Sequence, residues 1–225
     1  MPLYKTINFS PTTQILVWKI TESYEQLFDE VQLNEKSLLR LNGMKSQLHQ
    51  RAFLSVRKLL QQAGFSDFDL QYDTSGKPYL NLNNCHIEQA NAERSRSVEV
   101  SISHSHEFST LIISDQQVGI DIEKQREKII RIADKFVDYE FHFLKPEKIQ
   151  EYIRKLTVIW GVKESIFKIR NEKGISFKDH IKVTAFEMNE NQGRAWLHSD
   201  NAVEDFNIYF EEIENFTLVY AFEKI

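Results

Sequence analysis

The chain has 225 residues, a formal net charge of −5 at pH 7 and an isoelectric point near 5.8. Its 41% hydrophobic and 27% charged content predicts a protein that is folded throughout. The negative net charge argues against a nucleic-acid partner, because binding a phosphate backbone requires a basic surface. No apolar window approaches the roughly 18 residues of a membrane-spanning helix, so no membrane partner is expected.

The N-terminal segment MPLYKTINFS lacks the apolar core of a signal peptide, which predicts a cytoplasmic protein. Cys85 is the single cysteine of the sequence, so an internal disulfide and a cysteine zinc site are both excluded. Any metal must therefore be bound by oxygen or imidazole ligands.

The residue pattern in the first part of the chain predicts one strand and a long helical region. Residues 15–20 are β-prone, and residues 23–62 are free of proline and helical in composition. Apolar residues recur at helical spacing in the second half of this region and should face the core: Leu48, Ala52, Phe53, Val56, Leu59 and Leu60. Ala63-Gly64 is a common helix end, and residues 73–78 predict a turn.

Residues 83–97 are polar and non-periodic, which predicts a surface loop to which we assign no role. Three extended runs follow, at 98–103, 110–114 and 118–123, and they predict adjacent strands of a sheet.

The remaining chain repeats this order. Helical patterns cover about 129–136 and 147–171, and β-like runs follow, notably at 206–210 and 216–222. The order of strand, helix, turn and strands thus occurs twice, which indicates a duplicated architecture with a boundary near Asp115.

The segment VGIDIEK at 118–124 places two carboxylates on one face of a strand. Because side chains alternate across a strand, Asp121 and Glu123 point the same way as Gly119. Their Cα atoms should lie about 6.7 Å apart, close enough to bind one hard cation, and Gly119 would leave space beside them. The spacing alone fits a solvated acidic face more often than a metal site.

Trp160, Glu164 and Lys168 recur at i, i+4 and i+8 on one stripe of the last predicted helix. An ordinary Glu-Lys helix pair has the same spacing. This helix is otherwise rich in apolar residues, so it should be central, and its polar stripe then needs partners. A metal and a phosphate would supply them.

In the segment SISHSHEFS at 101–109, a strand is predicted to end at Ser103-His104. His104 and His106 could form a zinc pair, but no further His or Cys lies in a matching motif nearby. The small serines instead favour a turn that approaches a phosphate, and a surface loop is the simpler alternative.

Five signatures occur in order along the chain: GKP at 76–78, SISHS at 101–105, VGIDIEK at 118–124, FxxxE at 136–140 and WxxKExxxK at 160–168. The ordered set resembles the surfactin-type 4′-phosphopantetheinyl transferases. The resemblance implies transfer of the phosphopantetheine arm of coenzyme A to a serine of an acyl or peptidyl carrier protein, with release of 3′,5′-ADP.

The resemblance also implies an α+β fold with two pseudo-symmetric halves, each a small, mostly antiparallel sheet packed on a long helix, with the active site between them. Residues 1–115 would contact the coenzyme A nucleotide, and residues 116–225 would provide the metal site and the carrier-docking surface. By analogy with this group of enzymes, we expect a monomer.

The site residues are carried over by the same resemblance. Asp121, Glu123 and Glu164 correspond to the ligands of a Mg²⁺ ion. Glu164 would also be the general base toward the carrier serine, and Lys168 would stabilise the attacked phosphate. Further matched positions contact coenzyme A: Lys36, Arg51, Lys77, Ser103 and His104. Arg40 and Lys45 are interpreted as solvated helix surface.

Carrier docking is expected near residues 124–136, where basic residues intermingle with three isoleucines. The residues concerned are Arg126, Lys128, Arg131, Lys135, Ile129, Ile130 and Ile132. Carrier proteins of this class are typically acidic, so such a surface is complementary to them.

Two alternatives come from other functional classes. A Mg²⁺-dependent nuclease could use residues 121–124, a carboxylate-x-carboxylate-Lys core, but the net charge of −5 argues against it. A non-catalytic carrier-binding module is disfavoured because the residues of the expected site are intact.

Overall fold

A computed structural model describes residues 3–81, 98–199 and 202–224. The chain divides into two compact units, Met1–Gln116 and Gln117–Ile225, here called unit 1 and unit 2. Each unit contains an antiparallel sheet and helices, which confirms the predicted α+β class. The loop predicted at 83–97 lies outside the described residues.

The described part of unit 1 consists of a six-stranded sheet and three α-helices. Its strands are β1 (Leu3–Ser10), β2 (Thr13–Lys19), β3 (Leu70–Tyr72), β4 (Pro78–Leu80), β5 (Val98–Ser105) and β6 (Phe108–Ser114). Its helices are α1 (Tyr24–Asp29), α2 (Glu35–Asn42) and α3 (Gln47–Gln62). The strand order is β1-β2-β6-β5-β4-β3, with antiparallel pairing throughout.

The long helical region predicted at the start of unit 1 is three helices, so that prediction was wrong in extent. Ser23 forms a reciprocal capping box with Gln26, and the Asn34 side chain accepts from the backbone N–H of Ser37. The first N–H groups of a helix have no carbonyl partner within that helix. The side chains of Ser23 and Asn34 accept from such N–H groups, so each of these residues marks the start of a separate helix. The second helix ends at Gly43.

Helix α3 buries one face against β2, β5 and β6. Five of the six apolar residues predicted to face inward are buried, and the prediction was wrong for Leu48, which is 43% exposed. Leu48 lies in the first turn of α3, before the helix reaches the core residues around Leu16 and Leu111.

The described part of unit 2 consists of a five-stranded sheet, one long α-helix and two 3₁₀ helices. Its strands are β7 (Val118–Lys124), β8 (Ile181–Val183), β9 (Gln192–His198), β10 (Val203–Ile213) and β11 (Phe216–Glu223). Its helices are η1 (Glu127–Lys135), η2 (Tyr139–His142) and α4 (Ile149–Arg170). The helical region expected near 129–136 is therefore 3₁₀ and begins earlier.

The two units repeat one topology. In unit 2 the strand order is β7-β11-β10-β9-β8, and α4 follows the first strand β7. In unit 1, α3 follows β2, and the order β2-β6-β5-β4-β3 is the same once β1 is set aside. The duplication predicted from the order of elements is thus visible in the sheet topology, with β1 as an extra edge strand.

Among the described helices, none has both the length and the apolar character that a membrane crossing requires.

Two glycines bring α4 unusually close to the sheet of unit 2. A Cβ atom added at Gly119 of β7 would lie 2.0 Å from the backbone oxygen of Ser165 in α4. A Cβ added at Gly161 of α4 would lie 2.6 Å from Cγ2 of Val219 in β11. The expectation that Gly119 leaves open space beside the carboxylates was therefore wrong, because the backbone of α4 fills that space.

This contact predicts that Gly119→Ala destabilises the chain by about 3 kcal/mol, because the added methyl meets backbone atoms that cannot move aside. Gly193→Ala in β9 is the matched control, since the nearest neighbours of its Cβ would be side-chain atoms, of Ile208 at 3.3 Å and of Phe186 at 3.6 Å, and no backbone atom. The control should lose less than about 1 kcal/mol. Urea unfolding measures both values, and equal losses would contradict the close-contact explanation.

Candidate active site

Asp121 and Lys168 form the centre of the candidate site in unit 2. Asp121 is 5% exposed in the middle of β7, and Lys168 lies in the last turns of α4. The Lys168 Nζ donates to Oδ1 of Asp121 at 2.9 Å and to the carbonyl oxygen of Ile120 at 2.8 Å. A charge-assisted pair thus joins the strand to the helix at the residues that the sequence singled out.

Glu164 lies one helical turn before Lys168 and is electrostatically coupled to both strand carboxylates. The pKa of Glu164 is raised to about 7, and burial is the largest cause of this rise. The negative charge of Asp121 also contributes to the raised pKa, Lys168 opposes it, and Glu123 adds to it. Three acidic groups therefore share one region, and a single lysine offsets part of their repulsion.

These residues fit a hard divalent cation in donor chemistry. The donors are carboxylate oxygens, which Mg²⁺ and similar ions prefer, and the negative charges of Asp121 and Glu123 both contribute to the raised pKa of Glu164. Among the described residues, no group of three His, Cys, Asp or Glu side chains is already arranged to hold a metal. In this arrangement Lys168 donates to Oδ1 of Asp121, so a cation bound at this oxygen would compete with Lys168.

A pocket of about 200 Å³ opens beside Glu123. Its apolar part is formed by Ile129, Ile132 and Trp160, and its basic part includes residues of the segment that follows β7. The full lining is Glu123, Lys124, Arg126, Lys128, Ile129, Ile132 and Trp160. We call it the η1 pocket. Its lining thus includes Glu123, a predicted metal ligand, and residues of the predicted docking segment 124–136.

In the described part of unit 1, two adjoining cavities of about 350 and 310 Å³ share Arg40, Arg57 and Tyr72. Lys36 lines the first cavity and His104 lines the second. The structure therefore brings these two predicted coenzyme A contacts to adjoining cavities.

The other three predicted contacts do not line these cavities. Arg51 is half-buried and donates from Nη2 to the carbonyl of Ile20 at 3.2 Å, and no described residue accepts from its buried Nε. Lys77 pairs with Glu99 at 3.3 Å. Ser103 is buried in β5, which runs on to Ser105 and so extends past the predicted strand end.

Sequence reasoning missed Arg40 and His49 as parts of this region. Arg40 is exposed on α2, and its guanidinium lies 5.6 Å from the ring centre of Tyr72 and borders both cavities. His49 lies 6.2 Å from His104, ring centre to ring centre. The spacing of Lys36 and Arg40, four residues apart on α2, was the available signal.

The sequence model of the 4′-phosphopantetheinyl transferase superfamily matches residues 117–221, which is nearly all of unit 2. This part of the chain is thus similar to members of that superfamily. A curated relative, the 4′-phosphopantetheinyl transferase gsp of Aneurinibacillus migulanus, is 31% identical over 117 residues. That similarity covers 52% of this chain and 47% of the relative, so the chain matches about half of the relative's length.

The superfamily match includes the candidate metal ligands, Lys168 and the η1 pocket. The predicted coenzyme A contacts of unit 1 lie outside the matched stretch. Their role, and that of each site residue, stays a prediction.

The raised pKa of Glu164 predicts a pH-dependent effect of Glu164→Gln on stability. The folded chain keeps this proton at pH values at which the unfolded chain has lost it, so ionisation of Glu164 destabilises the fold. The substitution should stabilise little at pH 5, increasingly up to pH 7, and by on the order of 2 kcal/mol above it.

Urea unfolding between pH 5 and pH 8 measures this effect. The control is Glu147→Gln at an exposed position before α4, which should show no such pH trend. A Glu164→Gln effect that is flat with pH would contradict the raised pKa of Glu164.

Proposed function

We propose that the chain transfers the 4′-phosphopantetheine group of coenzyme A to a serine of an acyl or peptidyl carrier protein and releases 3′,5′-ADP. The observation that carries the proposal is the meeting of Asp121, Glu164 and Lys168 on two adjacent elements inside the stretch that matches the superfamily. The name of the curated relative supports the same reaction.

In the proposed reaction the serine oxygen attacks the phosphorus that bears the pantetheine arm, and the anhydride bond to 3′,5′-ADP breaks. Glu164 accepts the serine proton, directly or through a water. Its pKa of about 7 suits this role. A base with a pKa near the working pH is ionised in a large fraction of the molecules and is still basic enough to accept a proton. Lys168 stabilises the negative charge of the attacked phosphate.

Asp121, Glu123 and Glu164 would hold the metal ion, for which we propose Mg²⁺. The ion would neutralise charge on the pyrophosphate as the anhydride breaks. The buried position of Asp121 and the coupling of Glu164 to the charges of Asp121 and Glu123 support this ligand set.

For the coenzyme A nucleotide we propose the contacts Lys36, Arg51, Lys77, Ser103 and His104. Several cationic or imidazole side chains border the cavities of unit 1, although the whole chain carries a net charge of −5. The Nε of Arg51 offers an N–H that no described residue accepts, and a guanidinium suits phosphate oxygens. Arg40 and His49 join this proposed set because they border the same cavities.

The carrier would dock on residues 124–136. The η1 pocket there combines an apolar part with the basic residues Lys124, Arg126 and Lys128. An acidic carrier helix that presents an apolar side chain would match both features. Assignment to the surfactin-type group, a monomeric state and a cytoplasmic location stay predictions from the sequence.

The reaction is tested by the intact mass of an apo-acyl carrier protein after incubation with the chain, coenzyme A and Mg²⁺. The carrier should gain the mass of one phosphopantetheine group. Glu164→Gln should lower the rate by at least about 100-fold, because it removes both a base and a metal ligand. Asp121→Ala should remove the response to added Mg²⁺.

Glu147→Gln is the control for these variants and should keep the wild-type rate, since this residue is exposed and outside the site. Failure of the wild-type chain to modify carriers of both the fatty-acid and the peptide type would contradict the proposed reaction.

The docking surface is tested by charge reversal at Arg126, Lys128 and Arg131. The combined substitution to Glu should raise the KM for the carrier by about tenfold or more, because attraction to an acidic helix becomes repulsion. The KM for coenzyme A should change by less than about twofold. Lys145→Glu, at an exposed site outside this segment, should change neither value. A weaker affinity for coenzyme A alone would refute the assignment.

A further inference from the structure

Lys163 is fully buried in α4, directly before Glu164, and points into the unit rather than toward the candidate site. Its ammonium donates to the carbonyl oxygens of Phe136 at 2.7 Å, Phe177 at 2.9 Å and Ile181 at 2.8 Å. These carbonyls belong to three segments: the end of η1, the connection after α4, and the start of β8. Lys163 thus connects three separate segments to the central helix α4 by hydrogen bonds.

Glu140 of η2 completes this arrangement. It is also fully buried, and its Oε1 lies 2.9 Å from the Lys163 Nζ. The same oxygen accepts from the backbone N–H of Val183 at 2.9 Å. The FxxxE and WxxKE signatures therefore meet through Phe136, Glu140 and Lys163 inside unit 2.

The η1 helix needs such an anchor. It is a nine-residue 3₁₀ helix, and 3₁₀ runs of more than three or four residues are uncommon because their hydrogen bonds have poor geometry. Ala133 is its one buried residue. Ile129, Ile130 and Ile132 pack against the core of unit 2 while only partly buried, so the segment depends for its stability on its contacts with the rest of the unit.

The anchor acts directly on the η1 pocket. Phe136, whose carbonyl accepts from Lys163, packs edge to face on Trp160 with ring centres 5.1 Å apart. Trp160 forms one wall of the η1 pocket, and Ile129 and Ile132 of η1 form another. The distance between these walls depends on where η1 ends against α4.

Lys163 is better suited to a positional role than to simple stabilisation. Replacing a buried ion pair by apolar residues of similar volume often leaves stability unchanged or increases it. An apolar residue at this position could fill the volume, but it could not donate to the carbonyl of Phe136.

We propose that Lys163 is a positioning residue that fixes η1 against α4 and thereby shapes the η1 pocket for the carrier. The effect on the carrier rests on the proposed function, whereas the effect on η1 does not.

The first measurement is hydrogen exchange of the full chain without ligands. Lys163→Met should increase exchange within 127–136 by at least about tenfold and leave β10 and β11 within about twofold of wild type. The matched control is Lys155→Met, because Lys155 is a second buried lysine of α4 whose ion-pair partners are Glu151 and Glu187. Unchanged exchange at 127–136, or an equal increase throughout unit 2, would overturn the proposal.

A double variant covers the case in which Lys163→Met does not fold. In Lys163→Met/Glu140→Leu both charges are absent, so no unpaired buried charge is left and the chain should fold. Exchange at 127–136 should remain elevated, because the donors to the carbonyls are still missing. Wild-type protection of η1 in this variant would contradict the positioning role.

The second measurement uses an acidic apo-acyl carrier protein as the probe. Lys163→Met should raise the KM for this carrier by about tenfold and change the KM for coenzyme A by less than about twofold. A fall in kcat with both KM values unchanged would indicate loss of folded enzyme and overturn the proposal. If the wild-type chain modifies no carrier, the proposed function fails, and hydrogen exchange still decides whether Lys163 positions η1.

Discussion

The candidate site depends on the close contact between α4 and the strands β7 and β11. Gly119 and Gly161 make this contact possible, since a methyl group at either position would overlap with Ser165 or Val219. At this distance Lys168 donates a hydrogen bond to Asp121, and the negative charge of Asp121 raises the pKa of Glu164. A helix displaced by one side-chain layer could not bring these groups together. The glycine of VGIDIEK is therefore part of the site, although it carries no functional group.

The repeated topology shows how one architecture carries two kinds of surface. In unit 1 the contact between α3 and β6 includes Ser55 and Ser109, fully buried residues whose hydroxyl oxygens lie 2.7 Å apart. In unit 2 the contact of α4 with β7 includes an acidic and a basic side chain, Asp121 and Lys168. The cavities of unit 1 are instead bordered by Lys, Arg and His side chains. Basic side chains thus border cavities in both units, whereas the coupled acidic residues of the candidate site lie in unit 2.

Patterns local in sequence predicted much of this arrangement. Alternation identified β7, and the apolar content of α4 indicated a central helix, which is observed at 149–170. The five signatures indicated the superfamily that residues 117–221 match. The three helices before Gln62 were missed because composition is similar across them, whereas the caps that separate them depend on single residues.

Contacts between distant residues could not be read from the sequence. Lys163 and Glu140 lie 23 positions apart in sequence, and nothing in either signature shows that they pair in a buried interior. The exposure of Leu48 and the position of Arg40 between two cavities likewise depend on tertiary packing. Spacing placed Gly119 on the correct face of β7, but it could not show that a helix backbone occupies that face.

The central claim is that Asp121, Glu123 and Glu164 bind one divalent cation. A crystal structure of the full chain with coenzyme A and Mn²⁺ tests it most directly, because anomalous scattering locates the ion. We expect one ion with carboxylate oxygens of all three residues at about 2.2 Å, and the Lys168 Nζ moved away from Asp121. An ordered coenzyme A with the ion bound elsewhere, or with Lys168 still paired to Asp121 and no ion beside it, would contradict the account.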